Sequence, residues 1–149
     1  MSPAMTNAAI TLTSEVESVL GSLSDLLDIE SDAVQASDFD AFRNLQNDKF
    51  ALMTRYRALM ETLTHQAPFL KQAGDTVVGR ITTATERLQA STKRNALMLE
   101  SGRNSMQRIV DRIVRAARET VHADRQSYNR NGRSHNGGGT LSIRVDEVL

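Results

Sequence analysis

Apolar residues recur at steps of three and four through most of the chain, the spacing of one helix face. The longest run extends from about Asp75 to Tyr128 and passes through Val77/Val78, Ile81, Ala84, Leu88, Thr92, Asn95, Leu99, Gly102, Met106, Ile109/Val110, Ile113, Ala117, Val121 and Tyr128. A helix over that stretch would measure roughly 80 Å. Two shorter runs precede it. One carries Val16, Val19/Leu20, Leu23, Leu26/Leu27, Glu30 and Ala33/Val34, with Ser and Asp on the opposite face. The other carries Phe39, Phe42, Leu45, Lys49, Leu52/Met53, Tyr56, Leu59/Met60 and Leu63.

The punctuation between the runs sets their boundaries. Thr13-Ser14-Glu15 offers a hydroxyl cap followed by an acid, so the first helix is expected from residue 13 and residues 1–12 are expected to be disordered. Ser37-Asp38 breaks the helix, and Asp38 can cap the next one. The short connection makes the first two helices an antiparallel hairpin. Pro68 is expected to end the second helix near His65, and Gly74-Asp75 to start the third. Gly102 interrupts the long helix, either as a bend or as a point where a neighbouring helix comes close. The fold class expected is all-α: a helical hairpin packed against a long third helix, as a coiled-coil-like bundle over residues 13–128. The hairpin covers only part of so long a helix unless that helix bends.

After Tyr128 the pattern stops. Residues 129–139 form a Gly/Asn-rich linker by composition. Residues 140–149 form a short apolar tail, in which Leu141, Ile143 and Val145 fit a strand and Leu141, Val145 and Val148/Leu149 fit a helix. Such a tail folds back on the bundle or docks elsewhere.

Composition narrows the class. Hydrophobic residues make up 40% of the chain but aromatics only 4%, with no Trp, so the core is aliphatic and thin. Cysteine is absent, which excludes a disulfide framework and thiolate metal sites. No basic residue precedes Arg43, and no stretch reaches the eighteen apolar residues of a membrane span. A soluble, cytoplasmic protein without membrane insertion is therefore expected. Net charge is zero but unevenly spread: residues 1–42 hold eight acids and no base, and residues 80–133 hold twelve bases against five acids. Helices of opposite charge are predisposed to pair.

No catalytic constellation is present, so no enzyme, cofactor or metal is expected. His65, His122 and His135 are scattered, without second ligands at metal spacing, and Gly137–Gly139 is not placed as a phosphate-binding loop. Arg108, Arg112 and Arg115 share one face of the long helix, beside Ile109 and Ile113. With zero net charge and no interleaved aromatics, nucleic acid is not the expected partner. Asn95 and Lys49 occupy seam positions where apolar residues are the rule. A polar residue there costs stability but fixes register, and a Lys stem can bury while its amine reaches water. Met53, Met60, Met98 and Met106 add adaptable apolar surface, either ordinary core filling or part of a binding groove.

Three segments resemble the FlgN-like family of bacterial flagellar export chaperones. The first is the acidic helix with Leu20, Leu23, Leu26 and Leu27, leading through Asp38-Phe39-Asp40-Ala41-Phe42-Arg43-Asn44-Leu45 to Lys49-Phe50-Ala51-Leu52. The second is Lys93-Arg94-Asn95-Ala96-Leu97-Met98-Leu99 within the long helix. The third is Tyr128-Asn129-Arg130-Asn131-Gly132, where the family commonly has Tyr-Gly. Each motif is weak alone; their order and spacing over residues 15–132 carry the likeness. The resemblance implies a cytoplasmic, non-enzymatic chaperone that holds hook-associated (hook–filament junction) proteins, protects their terminal helices and delivers them to the flagellar type III export gate.

The residues expected to meet a client are Met106, Ile109, Val110, Ile113, Val114, Ala117 and Val121, since their two apolar columns exceed one narrow seam. The resemblance makes Tyr128 the expected contact with the export gate. If the tail occupied the same groove, removing residues 140–149 would tighten client binding. The alternative from the same pattern is a structural coiled-coil module whose seam forms a homodimer.

Overall fold

A computed structural model describes residues 2–131; of the linker expected at 129–139, residues 129–131 are helical instead, and its remainder and the tail at 140–149 lie outside the described residues. Four helices follow one another: α1 (Pro3–Gln35), α2 (Phe39–Asn44), α3 (Gln46–Gln72) and α4 (Asp75–Asn131). No strand occurs among the described residues. The all-α class is therefore correct. The chain divides into two compact units after Met106.

In the first unit, α1 is the central element. It begins ten residues earlier than the expected start at Thr13. Ser2 caps it, its hydroxyl accepting from the Met5 amide at 3.4 Å, and Pro3 follows at the first helical position. Pro there loses no helix bond, because that amide has no intrahelical acceptor anyway. Ala9 and Leu12 are buried and extend the Val16 seam backwards. Residues 3–12 are thus helical, contrary to the expected disorder.

A second correction concerns serine. The serines are expected opposite the apolar seam of α1, but Ser24 and Ser31 are fully buried together with Thr13. Each hydroxyl donates to the carbonyl four residues back: Thr13 to Ala9 at 2.7 Å, Ser24 to Leu20 at 2.8 Å and Ser31 to Leu27 at 2.8 Å. Once satisfied within its own helix, a small hydroxyl residue can be buried without an orphaned group.

The turn after α1 is a Schellman motif. Ser37 takes the left-handed conformation (φ 56), its amide donates to the Val34 carbonyl, and the Asp38 amide donates to the Ala33 carbonyl at 2.8 Å. The Asp38 carboxylate then accepts from the Ala41 amide at 3.0 Å, which caps α2 as its sequence position foretold. The single second helix of the sequence reading is two, α2 and α3, separated by Leu45. Phe39 at the start of α2 is half exposed rather than in the core.

Pro68 does not end α3, which runs on to Gln72. An interior proline costs about 3 kcal/mol, and burying one leucine returns about 1.5–3 kcal/mol. Here Leu70 is buried and Phe69 packs on the core, while residues 64–68 face solvent, where water can serve the carbonyl that Pro68 leaves unbonded. Gly74, in the left-handed region (φ 106), turns the chain from α3 into α4.

The pairings set the directions. Lys49 of α3 meets Glu30 of α1, and Phe69 lines a cavity with Ala4 and Ala8, so α1 and α3 are antiparallel. Arg80, Arg87 and Arg94 meet Glu17, Asp25 and Asp32 in ascending order, so α1 and α4 are parallel. The core is aliphatic: Val16, Val19, Leu20, Leu23 and Leu27 of α1, Leu59 and Leu70 of α3, Val77 and Leu88 of α4.

Gly102 is a point of close approach. A Cβ built on it would lie 2.8 Å from Val34 Cγ1, while the helix continues through it. Gly102→Ala is therefore expected to destabilise by about 1 kcal/mol, because overpacking of roughly 1–3 kcal/mol outweighs the helix propensity gained. In a Val34→Ala background the same change is expected to stabilise by up to about 1 kcal/mol. Denaturant unfolding of the four proteins checks this; simple additivity would refute the contact.

Candidate functional site

Two features of α4 bear on function: how its first part is held, and what its last part presents. Holding is done by the apolar seam through Val77 and Leu88, by charge and by one buried polar node. Arg80 Nε donates to Glu17 Oε1 at 2.8 Å, and this guanidinium keeps the Glu17 carboxyl below the usual carboxylate range against the opposing effect of burial. Seven residues on, Arg87 pairs with Asp25, and seven further on, Arg94 pairs with Asp32 at 2.6 Å. This is the expected attraction of acidic and basic helices, realised as a ladder. All its members are partly exposed, so each rung contributes modestly.

The node lies at Glu30, which is fully buried on the apolar side of α1. Lys49 Nζ of α3 donates to its Oε1 at 2.7 Å, Gln46 Nε2 to its Oε2 at 2.8 Å, and Asn95 Nδ2 of α4 to its Oε1 at 2.9 Å. Asn95 also reaches the Leu27 carbonyl and the Ser31 hydroxyl, both at 3.3 Å. Burial pushes the Glu30 carboxyl up, but the bonds from Lys49, Asn95 and Gln46 and the Lys49 charge outweigh it, so its pKa lies below the ordinary value. The two polar residues singled out in the seams thus meet at one acid. No buried side-chain nitrogen or oxygen among the described residues lacks a partner.

What α4 presents changes along its length. Its buried residues are Val77, Leu88, Ser91 and Asn95, all in the first unit. From Gln107 to Tyr128 no residue is buried. Ile109 is 48% exposed, Ile113 63% and Val121 51%. Val110 and Val114 are half-buried, and Ala117 is exposed. Met106, at the end of the first unit, is 42% exposed. Tyr128 is 63% exposed, with its ring accessible. The residues expected to meet a client therefore form an apolar face on one helix, whose 109/113 column is the more open of the two. Arg108, Arg112 and Arg115 are exposed on the same segment, and none makes an ion pair among the described residues.

A second surface was not foreseen. Ile29 of α1 is 54% exposed beside a shallow cavity of about 550 Å³ between α1 and α3. Leu26, Leu45 and Leu52 line it, with Asp25, Asp48 and Arg55 at its edge. The signal available in sequence was the adjacency of Ile29 to the Leu26/Leu27 pair, which widens the apolar side of α1.

No group of His, Cys, Asp or Glu with metal-binding geometry occurs among the described residues, and no helix there is long and apolar enough to cross a membrane. Comparison with protein-family models, with curated proteins and with solved structures finds no match.

Proposed function

We propose that this chain is a holding chaperone of the FlgN-like kind, which shelters amphipathic terminal helices of hook-associated proteins before flagellar type III export. The observation that carries the reading is the apolar face of α4 from Ile109 to Val121, left open on a protein whose first unit buries its own seam. A helix with such a face accepts another amphipathic helix, read through residues at steps of three and four. Large exposed apolar patches are uncommon on proteins without a partner. The motifs around Lys49, Asn95 and Tyr128 supply the flagellar part of the proposal, and the exposed Tyr128 is its candidate contact with the export gate. Holding needs no nucleotide, cofactor or catalysis, and the work is done in the cytoplasm. The runner-up is a homodimeric coiled-coil module using the same face. Arg108, Arg112 and Arg115 beside that face weigh against a parallel, in-register pairing, which would bring like charges together.

The test is calorimetric titration of the protein with terminal helical segments of hook-associated proteins. Saturable binding is expected, weakened at least about tenfold by Ile113→Asp with helicity unchanged. No binding to any segment, together with a stable dimer in sedimentation, would replace the proposal by the coiled-coil module.

A further inference from the structure

The first part of α4 records what kind of helix it pairs with, and the same register continues where α1 offers no further acid among the described residues. Arg80, Arg87 and Arg94 stand seven residues apart, and each is followed at once by a residue turned to the seam: half-buried Ile81, buried Leu88 and buried Asn95. Each arginine takes a carboxylate from α1, and those carboxylates (Glu17, Asp25 and Asp32) are seven or eight residues apart beside the α1 apolar seam. Counting on by sevens from Arg94 passes Ser101 and reaches Arg108 and Arg115, followed at once by Ile109 and Ala116. Asp32 is the last acid of α1, which ends at Gln35, so α1 has no carboxylate left for them. From Gln107 to Asn131 the sequence carries six arginines against three acids, and Ile109, Ile113, Ala117 and Val121 are exposed.

We infer that the distal part of α4 is selective for an acidic amphipathic helix of another protein, one that carries carboxylates seven or eight residues apart beside an apolar stripe, as α1 does. The inference rests on the reading of this face as a client-binding surface and adds what the client must look like. Charge complementarity at such an edge steers encounter and rejects wrong partners, because a basic helix would set its charges against Arg108 and Arg115. Ile109 and Ile113 supply apolar contact common to any amphipathic helix, and the arginines supply the choice. A second copy of this chain is a poor occupant, because the apolar seam of its acidic helix α1 is already buried in its own bundle. Asp111, Glu119 and Asp124 interrupt the positive charge and disfavour a phosphate backbone.

The experiment uses the full chain and two designed helical peptides of about 20 residues. They share one Leu/Ile stripe; one carries Glu and the other Lys at seven-residue spacing along its edges. The Glu peptide is expected to bind at least about tenfold tighter at about 0.1 M salt, with the preference shrinking as salt rises. Arg108→Glu combined with Arg115→Glu is expected to reverse the preference with helicity unchanged. Equal affinity for both peptides, still lowered by Ile113→Asp, would overturn the charge selection and leave the docking face standing. Binding of neither peptide, or a sedimenting dimer dispersed by Ile113→Asp, would overturn both. So would arginine-dependent binding of an oligonucleotide with no preference between the peptides.

Discussion

Lys49→Met is expected to cost about 3 kcal/mol of folding stability at neutral pH, because it leaves the Glu30 carboxylate buried without its cation. Glu30 is fully buried, and Lys49 is its only charged partner in the node. The change keeps the length and apolar stem of the side chain, so the loss is chiefly electrostatic. Its pH dependence gives the signature. In the native protein the Glu30 pKa is depressed, so its contribution is complete above the ordinary carboxyl value of 4.5 and is lost as pH falls below that through the folded pKa. In the Lys49→Met protein burial is opposed only by the Asn95 and Gln46 bonds, and the folded pKa is expected to rise above the ordinary value. The penalty is then present at neutral pH and is relieved as pH falls through that raised pKa towards 4.5. The stability gap between the two proteins should therefore close on acidification. Urea unfolding followed by circular dichroism at neutral pH and near pH 4 measures it. A gap that stays constant with pH would remove Glu30 from the account, and in a Glu30→Gln background, which has no titrating group at this position, Lys49→Met should show no such closing.

That node marks the boundary of what sequence could give. Asn95 and Lys49 stood out because each breaks an apolar seam, and Glu30 fell on the apolar side of α1 by spacing alone. Periodicity reports which side of a helix a residue is on, but not which residue of another helix lies opposite, so their meeting was invisible. The charged pairing of α1 with α4 was legible as a difference in composition, and the seven-residue rhythm of Arg80, Arg87 and Arg94 became meaningful only beside Glu17, Asp25 and Asp32. The misreadings have local causes. Ser24 and Ser31 look polar until their hydroxyls bond within their own helix. Pro68 looks like a stop until Leu70 is found buried beyond it. Residues 3–12 look frayed until Ser2-Pro3 is read as a cap ahead of Ala9 and Leu12. As for the distal face of α4, a buried seam and an open face obey one period. Only the burial of Leu88 against the exposure of Ile113 separates them.

Replacing the whole node with apolar residues, as Glu30→Leu, Lys49→Met and Asn95→Leu together, is expected to raise stability by about 1–4 kcal/mol, because a well-packed apolar cluster avoids desolvating an ion pair. Gln46 keeps its bond to the Phe42 carbonyl, and Ser31 keeps its bond to the Leu27 carbonyl, so no group is orphaned. The expected loss is uniqueness. The arginine ladder repeats every seven residues, so by itself it fixes register weakly: a slip of one heptad would set Arg87 against Glu17 and Arg94 against Asp25, keeping two of the three modest rungs. The apolar seam shares that weakness. The node occurs once, and only the native alignment brings Asn95 to Glu30. A single polar residue in a seam is the best-attested device for fixing register. The turns at Ser37 and Gly74 hold the helix ends, so the loss is expected as exchange-broadened amide resonances along α4 between Val77 and Gly102, with a higher unfolding midpoint. Sharp, singly dispersed resonances in the triple variant would show that the ladder and the turns fix the register unaided. A lower midpoint would show that the ion pair is a net source of stability, and the Lys49→Met loss would then measure the pair itself rather than the acid it leaves behind.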